Sequence, residues 1–241
     1  DLVGSRAKYI GKISFFNKLT CNSSEYCRSN IIFKNPFIHP SIMIRKKTFN
    51  YLKGYRKYFK SEDYELWSRF FDKYKGTNLK ENLIKYRIHS DQHGFDDKDK
   101  TRESDIKKIQ KKWIKKLGLN NSKKKTNFHY KLTTFNEKFE FDKNFGNYKK
   151  YLSWLLTLKN SNNKNLFDFE SFNNFIYMYY LGITIAFSGH GVKTYQIFKN
   201  FEINKKKRII DIIILLFCIF KIKNFYAKKL FWYLCQLKIV K

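Results

Sequence analysis

The apolar and polar positions of the first third of the chain predict short strands and helices in alternation. Residues 1–14 read as strand, turn, strand, with Gly4 and Gly11 as punctuation. Residues 15–35 are mixed and polar, which predicts loop and a short helix. The run Ser41-Ile42-Met43-Ile44-Arg45 is β-prone and predicts a strand. Lys46 to Leu52 read as a short helix, and Gly54 is placed to cap it in the left-handed conformation. Ser61 is a candidate cap for the next helix, with Glu62, Asp63 and Glu65 at its positive end. Tyr64, Trp67, Phe71 and Tyr74 recur at helical spacing and are expected to face a core. Gly76 is expected to stop that helix. Residues 77–89 return to strand character and residues 90–100 to charged loop. Residues 101–117 predict a basic helix with Ile106, Ile109, Trp113, Ile114 and Leu117 on one side.

Around Asn120 to Asn127 the composition shifts to Asn, Ser and Lys, which predicts a boundary. The expected fold class is α/β, with a partial sheet domain over residues 1–118. It is followed by a basic, aromatic-rich helical region over residues 119–241. Helix is expected over 128–158, a polar gap over 160–165, and two or more helices over 170–200 and 207–239. Ile209 to Phe220 is the most apolar run, about half of the ~20 residues a bilayer span needs, and Asp211 interrupts it. It reads either as a buried core helix or as an interfacial helix lying on anionic lipid.

Composition changes this picture in three ways. Hydrophobic residues make up 43% of the 241, enough for a substantial core and against global disorder. The formal net charge is +30, from 50 Lys and Arg against 20 Asp and Glu. Such an excess attracts phosphate, nucleic acid or anionic lipid. Lys, Asn, Ile, Phe and Tyr are enriched together, however, and all have A/T-rich codons, so much of the lysine also reads as genome composition on solvated faces. Finally, Cys21, Cys27, Cys218 and Cys235 form no C-x-x-C pair and no zinc-finger spacing with histidine. A structural metal is not expected from them, and a reducing cytoplasm fits their number. The chain opens on a core strand at Asp1, and the expectation is that it was cut from something longer.

The chemistry-bearing residues come in a fixed order. His39-Pro40-Ser41 leads into an apolar strand, Gly54-Tyr55 follows, then Glu62-Asp63-Tyr64-Glu65-Leu66-Trp67, then Tyr86-Arg87-Ile88-His89. Singly, each has a bland reading: acids are common in first helical turns, Gly54 is a helix stop, and His39 and His89 are loop histidines. As an ordered set over residues 1–117 they resemble the back half of a family 2 glycosyltransferase of the GT-A fold, whose nucleotide-binding sheet is Rossmann-like.

The resemblance implies roles. Asp63 matches the general base that takes the acceptor proton, and Glu62 binds acceptor hydroxyls or tunes that base. His39, Gly54, Tyr55, Trp67 and Arg87 match substrate-binding positions, and Arg87 suits a phosphate. His89 matches the histidine that completes a divalent metal site for Mn²⁺ or Mg²⁺, with His93 a second candidate. The diphosphate-binding D-x-D motif is expected upstream of Asp1, along with the remaining metal ligands and the nucleotide-binding half; Asp97-Lys98-Asp99 fits it only as text. Implied partners are a nucleotide-sugar donor and a glycan or lipid-linked acceptor. The implied setting is surface polysaccharide synthesis in the cytoplasm, or peripherally on the inner face of the cytoplasmic membrane, where the basic tail would meet an anionic surface. No specific nucleic acid is expected. Two other classes stay open: a basic nucleic-acid-binding module, and a non-catalytic membrane-associated scaffold.

Overall fold

The computed structural model describes residues 1–11, 21–58, 60–88, 100–138, 144–201 and 208–221. The chain forms two compact units, Asp1–Tyr130 and Lys131–Lys241. The division falls inside a helix, later than the boundary expected at 118/119. The reason lies in His129, which is fully buried and whose Nε2 lies 2.9 Å from the Ile32 carbonyl oxygen. That bond ties the first two turns of the helix into the first unit.

The first unit is built on a mixed three-stranded sheet. β1 (Leu2–Gly11) is central, with β2 (Met43–Ile44) antiparallel on one side and β3 (Gly76–Ile88) parallel on the other. Parallel strands need a long crossover. Here that crossover carries α1 (Ser24–Asn30), a 3₁₀ turn at His39–Ser41, α2 (Lys46–Tyr51) and α3 (Glu62–Phe70). It also carries nearly all of the chemistry-bearing residues. Beyond β3 lie α4 (Lys100–Lys116) and α5 (Lys123–Lys138).

Several expectations change. Residues 2–11 form one unbroken strand, and Gly4 is no turn. It is buried opposite Asn78, and an added Cβ would sit 2.4 Å from Asn78 Oδ1, so only glycine admits that side chain. The strand predicted over residues 41–45 shrinks to two residues, because Ser41 closes the 3₁₀ turn and its Oγ accepts from Ser5 N–H at 3.0 Å. Gly76 opens β3 rather than ending α3, which stops at Phe70. Ser61 precedes α3 without a side-chain capping bond.

The core follows the helical spacing in most positions, but Tyr74, beyond the end of α3, and Ile106 are only half-buried. Tyr64, Leu66, Trp67, Phe70 and Phe71 are buried, as are Ile109, Trp113 and Ile114 of α4. Ser68 Oγ accepts the Trp113 indole N–H at 2.9 Å, satisfying a donor that burial would otherwise penalise.

The second unit is helical: α6 (Gly146–Asn160), α7 (Phe169–Phe187), α8 (Val192–Lys199) and α9 (Arg208–Ile219). Asp168 caps α7, accepting from Ser171 N–H at 2.9 Å, and that bond holds its carboxyl below the ordinary value. Asn162 clips the turn before α7 through two bonds to the Phe167 backbone. Two buried hydroxyls of this unit, those of Tyr148 and Thr184, pair at 2.9 Å. The apolar run of α9 is divided. Ile210, Ile214, Phe217 and Cys218 are buried, while Ile212, Leu216 and Ile219, with Phe220 just beyond, are exposed. Among the described residues no helix is long and apolar enough to cross a membrane.

Candidate active site

The crossover residues gather at one cleft. Its shape begins at the end of α2. Gly54 N–H reaches the Phe49 carbonyl at 3.1 Å and Lys53 N–H the Asn50 carbonyl at 2.9 Å. This is the Schellman pattern, with Lys53 and Gly54 both left-handed at φ 57° and 59°. Lys60, at φ 56°, brackets the far side of the same loop. The loop between carries Tyr55 and Tyr58 into the cleft wall. Arg69 of α3 fastens it. Its guanidinium grips Glu65 through Nε and Nη2 at 2.8 and 2.7 Å, and donates to the Gly54 carbonyl at 2.8 Å and to the Leu52 carbonyl.

Asp63 sits in the first turn of α3 with its carboxylate largely buried. Asn35 Nδ2 donates to Oδ2 at 2.6 Å, and Tyr64 N–H donates to Oδ1 at 2.7 Å. Burial raises its pKa above the ordinary aspartate value. The neighbouring Glu62 charge adds to the rise, while His39, the Tyr64 N–H and Asn35 oppose it. Asn35 is itself held, since its Oδ1 accepts from Phe37 N–H at 3.1 Å. The adjoining Pro36 carbonyl accepts from Asn78 Nδ2 at 3.1 Å. The asparagine facing Gly4 therefore anchors the turn that holds the candidate base.

His39 links this carboxylate to the loop. Its Nδ1 lies 4.0 Å from Asp63 Oδ2 and its Nε2 2.9 Å from the Tyr55 hydroxyl. Burial, then the charges of Asp63 and Glu62, raise the Tyr55 pKa, so the phenol keeps its proton. A phenol donating to Nε2 leaves the imidazole proton on Nδ1, facing Asp63.

The cleft has a volume of about 850 Å³. His39, Tyr55 and Glu62 line it, together with Arg56, Lys57 and Lys60. Asp63 is set behind His39, with its side chain 16% exposed. Gly54 contributes its carbonyl to Arg69, and its added Cβ would meet the Phe49 ring at 3.2 Å. Trp67 has no exposed surface and packs edge-on against His39, ring centroids 6.4 Å apart. Arg87 is exposed near the end of β3, paired with Ile10, and is not among the residues lining the cleft. His89, His93 and the Asp97-Lys98-Asp99 text lie outside the described residues. Among the described residues no group of three or more His, Cys, Asp or Glu stands ready for a metal ion.

Sequence reasoning passed over Asn35, Asn78 and Arg69. The asparagines lie outside any periodic pattern. Arg69 had a readable signal, because Glu65 stands one helical turn before it.

Two known proteins are similar to part of this chain. The chain is 33% identical over 94 residues to the O-antigen biosynthesis glycosyltransferase WbnJ of Escherichia coli, covering 37% of each chain. It is 45% identical over 60 residues to EpsE of Bacillus subtilis (strain 168), covering 23% of this chain and 22% of EpsE. Both relatives carry glycosyltransferase names, EpsE provisionally. The chain thus spans much less than two thirds of either relative's length. No family model matches it, and no solved structure does.

Proposed function

We propose that this chain carries the acceptor and acid–base part of an inverting glycosyltransferase of the family 2, GT-A type. The donor is a nucleotide sugar, and the acceptor is a hydroxyl of a glycan or lipid-linked saccharide in surface polysaccharide synthesis. One observation carries the reading: a buried carboxylate with a raised pKa, Asp63, held by Asn35 and backed onto a cleft through His39. In the reaction the acceptor oxygen bonds to the anomeric carbon and its proton passes to Asp63. The nucleoside diphosphate leaves with the electrons of the broken bond. Glu62, on the cleft wall, orients acceptor hydroxyls, and the His39–Tyr55 pair positions the base. The divalent ion that the resemblance implies would be held by His89 with ligands outside the described residues, and would neutralise the leaving diphosphate.

The test is sugar transfer by the longest form of the chain its gene encodes. Asp63→Asn lowers kcat by a factor of about 10² to 10⁴ with donor binding kept. It also turns a donor toward Asn35 Nδ2, so a second variant separates chemistry from folding. The exchange N35D/D63N restores complementary hydrogen bonds across the 2.6 Å contact and moves the carboxylate. The exchanged protein is expected to be folded and inactive. Full activity in either variant overturns the role of Asp63.

A peripheral position at an anionic membrane is a second part of the proposal. The exposed row Ile212, Leu216, Ile219 and Phe220, in a chain of net charge +30, supports it. Flotation with phosphatidylglycerol vesicles checks it: an L216D/F220D variant is expected to stay unbound, and equal flotation of both proteins removes α9 from the contact.

A further inference from the structure

The cleft beside Asp63 does not end at α3. A second groove of about 740 Å³ lies against α4 and α5, and Lys108 lines both. The first cleft carries Arg56, Lys57, Lys60 and Lys108 against Glu62 and Asp105. Among the described residues the second carries Lys100, Lys107, Lys108, Lys111 and Lys123 against Glu103. Two of these three acids are already matched: Asp105 pairs with Lys108 at 2.8 Å, and Glu103 pairs with Lys107. Lys108 also sits 5.7 Å above the centre of the Tyr58 ring. From Lys100 to Lys111, α4 rises about 16 Å at ~1.5 Å per residue. That is several times the span of one phosphate or diphosphate.

From this continuity we propose that the two clefts form one track for an acidic glycan acceptor. Resting on the glycosyltransferase reading, it names the acceptor's class: a saccharide chain with repeated carboxylate or phosphate groups. Its acidic groups lie along the lysines of α4 and α5, and its sugar rings meet Tyr55 and Tyr58. Its terminal hydroxyl reaches Glu62 and His39. The lysines act by summed attraction across a groove rather than by one tight contact, so binding is strong at low salt and falls as salt rises. The aromatic pair in the first cleft supplies faces that a bare cationic surface lacks.

Binding is read by fluorescence anisotropy, without donor, using three labelled probes. These are a decagalacturonate with one carboxylate per sugar, a neutral maltodecaose, and an oligothymidylate of the same charge as the first. The expected order is decagalacturonate first, the oligothymidylate weaker by about tenfold or more, and no binding of maltodecaose. K100Q/K111Q/K123Q, all exposed and outside the proposed catalytic group, weakens decagalacturonate binding about tenfold. K149Q/K150Q/K193Q removes the same charge from the second unit and changes it less than twofold. Circular dichroism of both triple variants is expected to match the parent chain. Equal losses in the two triples overturn the track. Oligothymidylate binding as tight as decagalacturonate makes this a nucleic-acid surface and overturns the glycan assignment. Absence of decagalacturonate binding also overturns it. None of these readouts depends on sugar transfer, so loss of the catalytic proposal and loss of this one are seen separately.

Discussion

At the residue scale the first unit rests on a few polar side chains whose partners are fixed by close packing. His129 is fully buried, and burial lowers its pKa from 6.5 to about 4. The native state then refuses a proton that the unfolded chain accepts, so stability is lost as pH falls from about 6.5 toward 4. At about 1.4 kcal/mol per pH unit, the loss reaches roughly 3 kcal/mol at the acid end. Urea unfolding across that range is expected to show it, and His129→Gln, which keeps a donor for Ile32, is expected to flatten it. Gly4 is equally exposed to test. A methyl group there collides with Asn78, and Gly4→Ala is expected to cost about 2 kcal/mol. Sequence reading took Gly4 for a turn because glycine in a strand and glycine in a turn look alike until the partner strand is known. The ordered neighbours of Asp63 drew attention to it through the resemblance they carry, and its role stays a proposal. Nothing in the sequence marked Asn35, whose contact with Asp63 spans 28 residues.

At the scale of elements, α3 and α4 were legible because their aromatic and aliphatic positions repeat every three to four residues. The sheet was less so. Which strands pair is set by a crossover of more than sixty residues, and no local pattern encodes it. The cleft wall depends on an element boundary: α2 ends in two consecutive left-handed residues, the first of them a lysine. A left-handed L-residue costs about 1–2 kcal/mol, part of which glycine returns to the unfolded chain as entropy. Lys53→Gly is accordingly expected to raise stability by about 0.5–1 kcal/mol in thermal unfolding, with the cleft unchanged. The opposite holds for the clamp from α3 to this loop. Arg69→Met leaves Glu65 buried without its main partner and frees two loop carbonyls. The expected loss is about 3 kcal/mol, read from the urea midpoint.

On the scale of the whole molecule, the division after Tyr130 shows that composition and packing need not change at the same point. The Asn/Ser/Lys stretch marks where the sequence turns polar, but buried His129 keeps part of α5 with the sheet. The donor side is a separate matter, resting on the resemblance. If the diphosphate-binding half is not within these residues, calorimetry with UDP and Mn²⁺ on this 241-residue chain gives weak heats or none. Tight one-to-one binding would place that half inside it.

The residues assigned to the chemistry, Asn35, His39, Tyr55, Glu62 and Asp63, all fall within one connection between two neighbouring strands. Replacing that connection would change the whole proposed catalytic group in one event, together with β2, which pairs with β1 inside it, and would leave the lysines of α4 and α5 in place.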